Sequence, residues 1–312
     1  MTSSAISVSG LRKAYGDKVV LDGIDFEVAT GSVFSLLGPN GAGKTTTVNV
    51  LTTLIGADGG TVLVGDHDVA REAKAVRAAI GVTGQFAAVD ELLTGQENLQ
   101  LMVDLSRRSA GGGKRVVAEL LERFDLVEAA RKPVSTYSGG MRRRLDLAMT
   151  LVGGPRIIFL DEPTTGLDPR SRRAVWSIVR ELVAGGVTVF LTTQYLEEAD
   201  QLADRVAVLD RGRLVAQGSP DELKARVPGT HVRLRFTGVS ELDAAARLFD
   251  GSVRDDDALT LRIPSDGGTK SLRLVLERLD AASLSAEKFS VHTPDLDDVF
   301  LALTGRTTEA AK

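Results

Sequence analysis

The order of apolar and polar residues predicts two groups of strands. The first group is predicted at residues 6–8, 19–21, 24–28, 33–37, 61–64 and 80–82. The second group is predicted at residues 157–160, 187–191 and 206–209. The runs at 157–160 and 187–191 are almost continuously apolar, which is typical of parallel strands that are buried on both faces.

Between the two groups the pattern changes to a helical spacing. Apolar residues recur every three or four positions, as at Leu99, Met102 and Val103 and again at Val117, Leu120, Leu121 and Phe124. This period is that of an amphipathic helix. We therefore predict an α/β domain over residues 1–218, interrupted by a helical insert at about 86–152.

A second, smaller unit follows the α/β domain. Ser219 and Glu222 form a capping box with Pro220 at the first helical position, which predicts a linker helix within residues 219–230. Strand and helix patterns then alternate at residues 231–236, 241–249, 259–263, 270–279, 285–291 and 296–303. This order predicts an α+β accessory domain over residues 231–305, followed by a tail at 306–312.

Composition narrows the possible functions. The net charge of −4 argues against a general nucleic-acid binder, since such proteins usually carry a basic surface. The chain has no cysteine, so disulfides and thiolate metal sites are excluded. Its three histidines, His67, His231 and His292, are scattered along the sequence and predict no metal site. We expect neither a signal peptide nor a membrane span, so any link to a membrane would require a partner.

The most specific motif is the loop after the strand at 33–37. Its residues fit the pattern G-x-x-x-x-G-K-[ST] and are Gly38, Pro39, Asn40, Gly41, Ala42, Gly43, Lys44, Thr45 and Thr46. In such loops the backbone N–H groups surround phosphates, the lysine contacts the β- and γ-phosphates, and the hydroxyl binds Mg²⁺. We therefore predict ATP as the ligand, with Lys44 on the phosphates and Thr45 on the metal.

Two carboxylates end the strand at 157–160. Asp161 and Glu162 follow its apolar residues, at the edge of the sheet where open α/β folds bind their ligands. A phosphoryl-transfer site needs one group to hold Mg²⁺ and another to orient and deprotonate the attacking water. We predict Asp161 for the first task and Glu162 for the second.

A third motif lies far from the phosphate loop in sequence. Ser138, Gly139, Gly140 and Met141 read as the capped start of a helix, whose free N–H groups can bind an anion. A nucleotide held by a second subunit would provide such an anion. The three motifs together predict an ATPase that works as a dimer. We interpret Arg142, Arg143 and Arg144, which follow, as a solvated helix face.

In its three motifs and their order, the chain resembles the nucleotide-binding subunits of ATP-binding cassette (ABC) transporters over residues 6 to about 218. The resemblance implies a P-loop fold with an N-terminal antiparallel β subdomain and an inserted helical subdomain. It also implies that Tyr15 stacks on adenine, that Gln85 contacts Mg²⁺ and senses a membrane partner, and that Asp168 lies in a loop crossing the dimer interface. Ser138, Gly139 and Gly140 would then contact the γ-phosphate of ATP bound to the other subunit.

Two sequence variants indicate a subgroup. Tyr137 begins the helix-start motif where most of the family has leucine, and Gln194 stands where most members have histidine. With the C-terminal segment at 293–305, these variants are similar to the daunorubicin/doxorubicin-resistance ATP-binding proteins. This resemblance implies a separate polytopic membrane permease, export of a hydrophobic drug or lipid-like compound, and a peripheral location at the cytoplasmic face of the cell membrane. Gln194 would hold the γ-phosphate and the attacking water.

Two other functions remain open at this point. The first is an ABC ATPase that acts in translation or DNA repair without a membrane partner. Such proteins usually carry two cassettes or a long coiled-coil insert, neither of which the sequence contains. The second is a regulator that binds ATP without turnover, against which the presence of Glu162 argues.

Overall fold

The computed structural model describes residues 4–106, 112–227 and 229–304. The chain divides into two compact units, Met1–Pro220 and Asp221–Lys312. The predicted tail at 306–312 lies outside the described residues. None of the helices in the described ranges combines the length and apolar character that a membrane span requires.

The first unit alternates strands and helices. Its strands are β1 (Ser4–Tyr15), β2 (Lys18–Ala29), β3 (Val33–Leu37), β4 (Gly59–Val64), β5 (His67–Asp68), β6 (Ile80–Thr83), β7 (Ile157–Asp161), β8 (Thr188–Thr193), β9 (Arg205–Asp210) and β10 (Arg213–Gly218). Its helices are α1 (Lys44–Leu51), α2 (Ala73–Ala79), α3 (Gly95–Leu105), α4 (Gly113–Arg123), α5 (Gly139–Leu151), α6 (Pro169–Ala184) and α7 (Leu196–Leu202).

Two sheets organise this unit. One is antiparallel with the strand order β2-β1-β4-β5, and the other has the order β10-β9-β3-β8-β7-β6 and is parallel except at β10. All residues of β3, β7 and β8 are buried, as their continuous apolar runs predict. The rings of Phe26 on β2 and Phe34 on β3 stack with centroids 5.1 Å apart, within a core that the two sheets share. The predicted α/β fold with an antiparallel β subdomain is therefore confirmed.

Helices α3, α4 and α5 occupy the predicted helical stretch, and a capping box at Thr94 begins α3. The structure adds the unpredicted two-residue strand β5, and two further details differ from the prediction. Residues 19–21 and 24–28 belong to one continuous strand, β2, whose pairing with β1 shifts register several times. The unpredicted strand β10 pairs with β9 across a two-residue turn, in which Arg211 and Gly212 both have positive φ. Such a turn joins adjacent antiparallel strands.

The second unit is a small α+β module. Its elements are α8 (Pro220–Lys224, of which Pro220 belongs to the first unit), β11 (His231–Arg235), α9 (Val239–Leu248), β12 (Val253–Asp255), β13 (Thr260–Pro264), α10 (Thr269–Ala281), β14 (Lys288–His292) and α11 (Leu296–Thr304). The antiparallel sheet has the order β12-β13-β11-β14. Val232, Leu234, Leu261 and Ile263 form its apolar face and pack with residues of α9 and α10. Only the short strand β12 was not predicted.

Candidate functional site

The parallel sheet brings the predicted site segments to one edge. Because parallel strands end on the same side, the loops after β3, β6, β7 and β8 start side by side. The backbone N–H of Gly38, after β3, donates to the carbonyl oxygen of Thr193 at the end of β8, at 3.2 Å. The phosphate loop therefore begins beside the residue that precedes Gln194.

Backbone geometry explains two of the loop glycines. Gly43 has φ +114°, in the left-handed region that disfavours other residues, and a Cβ there would lie 2.7 Å from Cδ2 of Leu21. A Cβ on Gly38 would lie 2.3 Å from the carbonyl oxygen of Leu209. Larger residues at either position would force the loop away from β2 or β9. The glycines thus allow the close backbone turn that a phosphate-binding loop requires.

Lys44 is buried, with only 4% of the residue exposed. Its Nζ donates to the carbonyl oxygens of Gly38 at 2.8 Å and Pro39 at 3.2 Å, and lies 3.1 Å from Oε1 of Glu162. The lysine thus connects the phosphate loop to the predicted general base. A buried charge is tolerated when it is paired and hydrogen-bonded, as Lys44 is here.

Glu162 is held in an unusual backbone conformation. Its φ of +49° is in the left-handed region, and its N–H donates to both the carbonyl oxygen and Oγ1 of Thr192, each at 3.1 Å. Oε2 accepts a hydrogen bond from Oγ1 of Thr165 at 3.2 Å. Strained residues held by several contacts are concentrated at functional sites. The geometry directs the carboxylate toward Lys44.

A cavity of about 680 Å³ joins these segments. Of the predicted site residues, it is lined by Asn40, Gly41, Gly43, Lys44, Thr45, Thr46, Gln85 and Glu162. Lys18, Val19, Val20, Arg211 and Gly212 also line it, and sequence reasoning missed them because no motif connects them to the loop. Residues 18–20 and 211–212 belong to β2 and the β9–β10 turn, so only the fold places them here.

The predicted Mg²⁺ ligands divide into two sets. The hydroxyl of Thr45 and the amide of Gln85 line the cavity, and both offer the oxygen donors that Mg²⁺ prefers. Asp161 is buried, does not line the cavity, and accepts a hydrogen bond from Oγ1 of Thr192. Within the described ranges, no cluster of three or more His, Asp or Glu side chains could hold a metal. The donor set therefore fits a metal that also uses phosphate oxygens, as Mg²⁺ does.

Tyr15 and Gln194 lie outside the cavity lining. Tyr15 ends β1 with 51% of the residue exposed, and the Nζ of Lys13 lies 5.6 Å from its ring centroid. An exposed ring of this kind is available for stacking. Gln194 directly follows β8 and is partly buried. Their predicted roles remain predictions.

The remaining predicted residues form two helix starts. Ser138 caps α5, and its Oγ accepts from the N–H of Met141 at 3.2 Å. Asp168 caps α6, and its Oδ1 accepts from the N–H groups of Arg170 and Ser171. The hydroxyl of Ser171 also donates to Oδ2 of Asp168. This bond, and after it the bonds from the two N–H groups, lower the pKa of Asp168. Neither start is part of the cavity lining.

The two helix starts touch each other. A Cβ on Gly140 would lie 2.4 Å from Oγ of Ser171, and one on Gly139 would lie 3.7 Å from Cδ2 of Leu167. Gly140 is therefore required for packing within this chain, in addition to any role toward phosphate.

Ala42, a further predicted site residue in the phosphate loop, is buried.

The interpretation of the three arginines as a solvated face is wrong for Arg143. This residue is 6% exposed, and its guanidinium donates to the carbonyl oxygens of Pro163 at 2.8 Å, Gly84 at 2.7 Å and Asp161 at 3.3 Å. It thereby connects α5 to the segments that carry Gln85 and Glu162. Arg144 donates to Asp125 at 2.8 Å. Helical spacing alone could not show this, because the partners lie on other elements.

Asp146, one turn after Arg143, completes this arrangement. Its Oδ2 lies 3.2 Å from NH1 of Arg143, and its Oδ1 accepts from the N–H of Ala88 at 3.1 Å. Burial raises the pKa of Asp146, whereas the bond from Ala88 and the charge of Arg143 act in the opposite direction. The pair thus fixes both ends of the loop that contains Gln85.

Besides Arg143 and Asp146, Glu198 is a functional candidate that sequence reasoning did not single out. It is fully buried on α7, and its Oε1 accepts from Oγ1 of Thr164 at 2.8 Å and Nε1 of Trp176 at 3.0 Å. Burial raises the pKa of this carboxyl. Glu198 connects the turn after Glu162 to α6.

Comparisons with known proteins agree with this geometry. The family model described as ABC transporter matches residues 21–165. A daunorubicin resistance ATP-binding protein of Streptomyces coeruleorubidus is 52% identical over 316 residues, covering 100% of both chains. A Nod factor export ATP-binding protein of Paraburkholderia xenovorans is 39% identical, covering 98% of this chain and 99% of the relative.

A solved structure extends the comparison. The protein cbiO1 of Clostridium perfringens, part of the ABC transporter complex cbiONQ, superimposes with a TM-score of 0.67 at 25% identity. The match covers 71% of this chain and 91% of that protein.

Proposed function

We propose that this chain, which belongs to the ATP-binding proteins of ABC transporters, couples ATP hydrolysis to efflux. Within that family, which hydrolyses ATP, the chain belongs to the daunorubicin- and doxorubicin-resistance group. The proposed cargo is a hydrophobic drug or a lipid-like compound, and the route is a separate membrane permease. The observation that carries the proposal is the cavity in which the phosphate loop, Gln85 and Glu162 meet.

The contacts of Lys44 support a role for it in hydrolysis. In the structure its ammonium group is bound to two loop carbonyls and to Glu162. A nucleotide in the loop would offer phosphate oxygens to Lys44, which would then release Oε1 of Glu162. The freed carboxylate would orient the attacking water and accept its proton. Mg²⁺, when bound by Thr45, Gln85 and Asp161, would neutralise charge on the phosphate oxygens.

We propose that Ser138, Gly139, Gly140 and Asp168 serve a second copy of the chain. They lie outside the cavity of their own chain, and the start of α5 offers N–H groups suited to a γ-phosphate. In a head-to-tail homodimer, each chain would contribute its phosphate loop to one site and its α5 start to the other. Gln194 would hold the γ-phosphate, and Tyr15 would stack on adenine.

The relatives support the membrane partner and the direction of transport. Their names state daunorubicin resistance and Nod factor export, and the cbiO1 protein is part of a transporter complex. We propose that the present chain likewise binds a polytopic permease, at the cytoplasmic face of the cell membrane. The relatives differ in cargo, so the compound itself is not specified.

The proposal is tested by co-expression with a polytopic membrane protein encoded by a gene adjacent to that of this chain, which the proposal expects to exist. The chain should move to the membrane fraction only when that protein is present, and cells expressing both should accumulate less of at least one compound in a panel of hydrophobic drugs that includes daunorubicin. The Glu162→Gln variant is the matched control, because it should bind the permease but not reduce accumulation. A chain that stays outside the membrane fraction in the presence of this protein would contradict the proposed partner.

A further inference from the structure

One face of the C-terminal sheet carries a cluster of basic residues. Side chains alternate between the two faces of a strand, and the apolar face of this sheet packs with residues of α9 and α10. The opposite face presents Arg233 and Arg235 from β11, Arg262 from β13 and Lys288 from β14, all exposed. We call these four residues the basic face.

Strand register places the four charges in two like-charge pairs. Arg233 is directly opposite Arg262, and Arg235 is directly opposite Lys288. Like charges in opposite positions of antiparallel strands are destabilising. Arg235 has a partial counter-charge, since its Nε lies 3.4 Å from Oε2 of Glu287. In the described part of the chain, no carboxylate forms an ion pair with Arg233, Arg262 or Lys288.

A buried hydroxyl lies within the same surface. Thr260 is opposite Arg235 on β13, is 4% exposed, and its Oγ1 has no hydrogen-bond partner among the described residues. It lines a cavity of about 350 Å³ together with Arg233, Arg235 and Lys288. Among the described residues that line the cavity, three side chains are cationic and one, Asp257, is acidic. An unpaired donor beside two unpaired cations, Arg233 and Lys288, is suited to an anion.

We propose that this cavity binds a phosphoryl group, carried by a small soluble anion or by a lipid headgroup. Arginine forks form parallel hydrogen bonds with phosphate oxygens, and Arg233 and Arg235 would supply them. Lys288 would add a point charge, and the hydroxyl of Thr260 would donate the remaining hydrogen bond. The anion would also reduce the repulsion between Arg235 and Lys288, both of which line the cavity. This site is separate from the nucleotide cavity and does not depend on the proposed efflux function.

Two probes distinguish the possible sources of the phosphoryl group. The full chain, with its phosphate loop saturated by ADP, is titrated with inorganic pyrophosphate by calorimetry. It is also sedimented with phosphatidylcholine vesicles that contain or lack phosphatidylglycerol. The variant Arg233→Ser/Lys288→Ser removes two charges from the cavity. The matched control, Arg247→Ser/Lys270→Ser, removes two exposed charges from α9 and α10 of the same unit.

We expect saturable binding of one probe that the cavity variant weakens by about 10-fold or more and the control leaves unchanged. Pyrophosphate binding would identify a soluble anion, and binding only to phosphatidylglycerol vesicles would identify a lipid headgroup. Thr260→Val should weaken the same binding without a change in charge. The proposal is overturned if neither probe binds, or if the cavity variant binds as the control does.

Discussion

Two pairs of cations, one in each unit of this chain, are found in opposite environments. In the first unit, Lys44 and Arg143 are buried, and each is held by carbonyl oxygens and a carboxylate of the same chain. In the second unit, Arg233 and Arg262 face each other across two strands, exposed. These two cations of the first unit are neutralised within the chain, whereas Arg233 and Arg262 of the second unit form no ion pair with the described residues.

This difference separates two uses of charge. A buried cation with several partners has a defined position and can maintain the geometry of a catalytic site. An exposed cation beside a like charge adds little to stability and is available to an external anion. Removal of such a buried cation should therefore lower the free energy of unfolding of the first unit. Removal of an exposed cation that faces a like charge should leave the stability of the second unit unchanged or increase it. The following experiments test this contrast, in order of decreasing effect.

The largest effect should come from Glu162→Gln. Loss of the proposed general base should reduce ATP turnover by about 10²–10⁴-fold, while nucleotide binding is retained. Because the step that opens the dimer is stopped, the variant should shift from monomer to dimer on a sizing column in ATP. Lys44→Ala, which loses the phosphate contact, is the control and should stay monomeric. Turnover at the parent rate would exclude Glu162 as the base.

Ser138→Arg should block turnover without preventing the monomer from binding nucleotide. The substitution lies at the start of α5, outside the cavity of its own chain. A mixture with Lys44→Ala subunits should recover activity, since each heterodimer keeps one intact site. The ATPase rate is measured over a series of mixing ratios with folded proteins. A series without any recovery would count against the shared site.

Arg143→Met should lower the free energy of unfolding by about 3–5 kcal/mol, because Asp146 would be left buried without its partner. Denaturant titration measures this loss. Arg143→Met/Asp146→Leu should restore most of the stability, since no unpaired charge remains. If Arg143 positions Gln85 and Glu162, the restored protein should still have a reduced kcat with little change in KM. A normal kcat would assign the pair to stability alone.

Gln194→Ala should reduce turnover by about 10²-fold if its amide stabilises the transition state. Gln194→His should keep activity and add an inflection near pH 6.5 that the parent profile lacks, because histidine titrates there and glutamine does not. The two pH profiles are compared under the same conditions. Parent-like turnover of Gln194→Ala would make Gln194 a bystander.

The smallest effect is expected in the second unit. Arg262→Thr removes one like-charge pair, so the melting temperature should rise by ~1–3 °C. Arg247→Thr on α9 has no directly opposite cation and should leave it unchanged. Scanning calorimetry of both variants against the parent measures the difference. A lower melting temperature for Arg262→Thr would contradict the proposed difference between the two units.

Much of the fold could be predicted because the relevant signals are local. The apolar run of β3, the glycines after it and the helix start at Lys44 lie within a few positions of one another. The same holds for the buried strand β7 with Asp161 and Glu162 at its end. Strand β10 was missed because its short sequence mixes apolar and polar residues, and its pairing depends on a turn rather than on a pattern.

The sequence also failed to separate residues that look alike. Arg142, Arg143 and Arg144 are consecutive, yet only Arg143 reaches the carbonyl oxygens of Gly84 and Pro163. His231 and His292 are 61 positions apart, but adjacent strands bring their rings to 4.8 Å. Their spacing along the sequence did not predict this contact. Such contacts depend on which strands become neighbours.

The sequence by itself determined most of the strands, the phosphate loop, the carboxylates at the end of β7 and the capped start of α5, because each is encoded by residues close together in the chain. Only the tertiary structure decided that Lys44 contacts Glu162, that Arg143 is buried, and that Arg233 is opposite Arg262. The physical reason is that charge pairing and desolvation depend on distances in space. Those distances are set by strand order and register, which no short segment specifies.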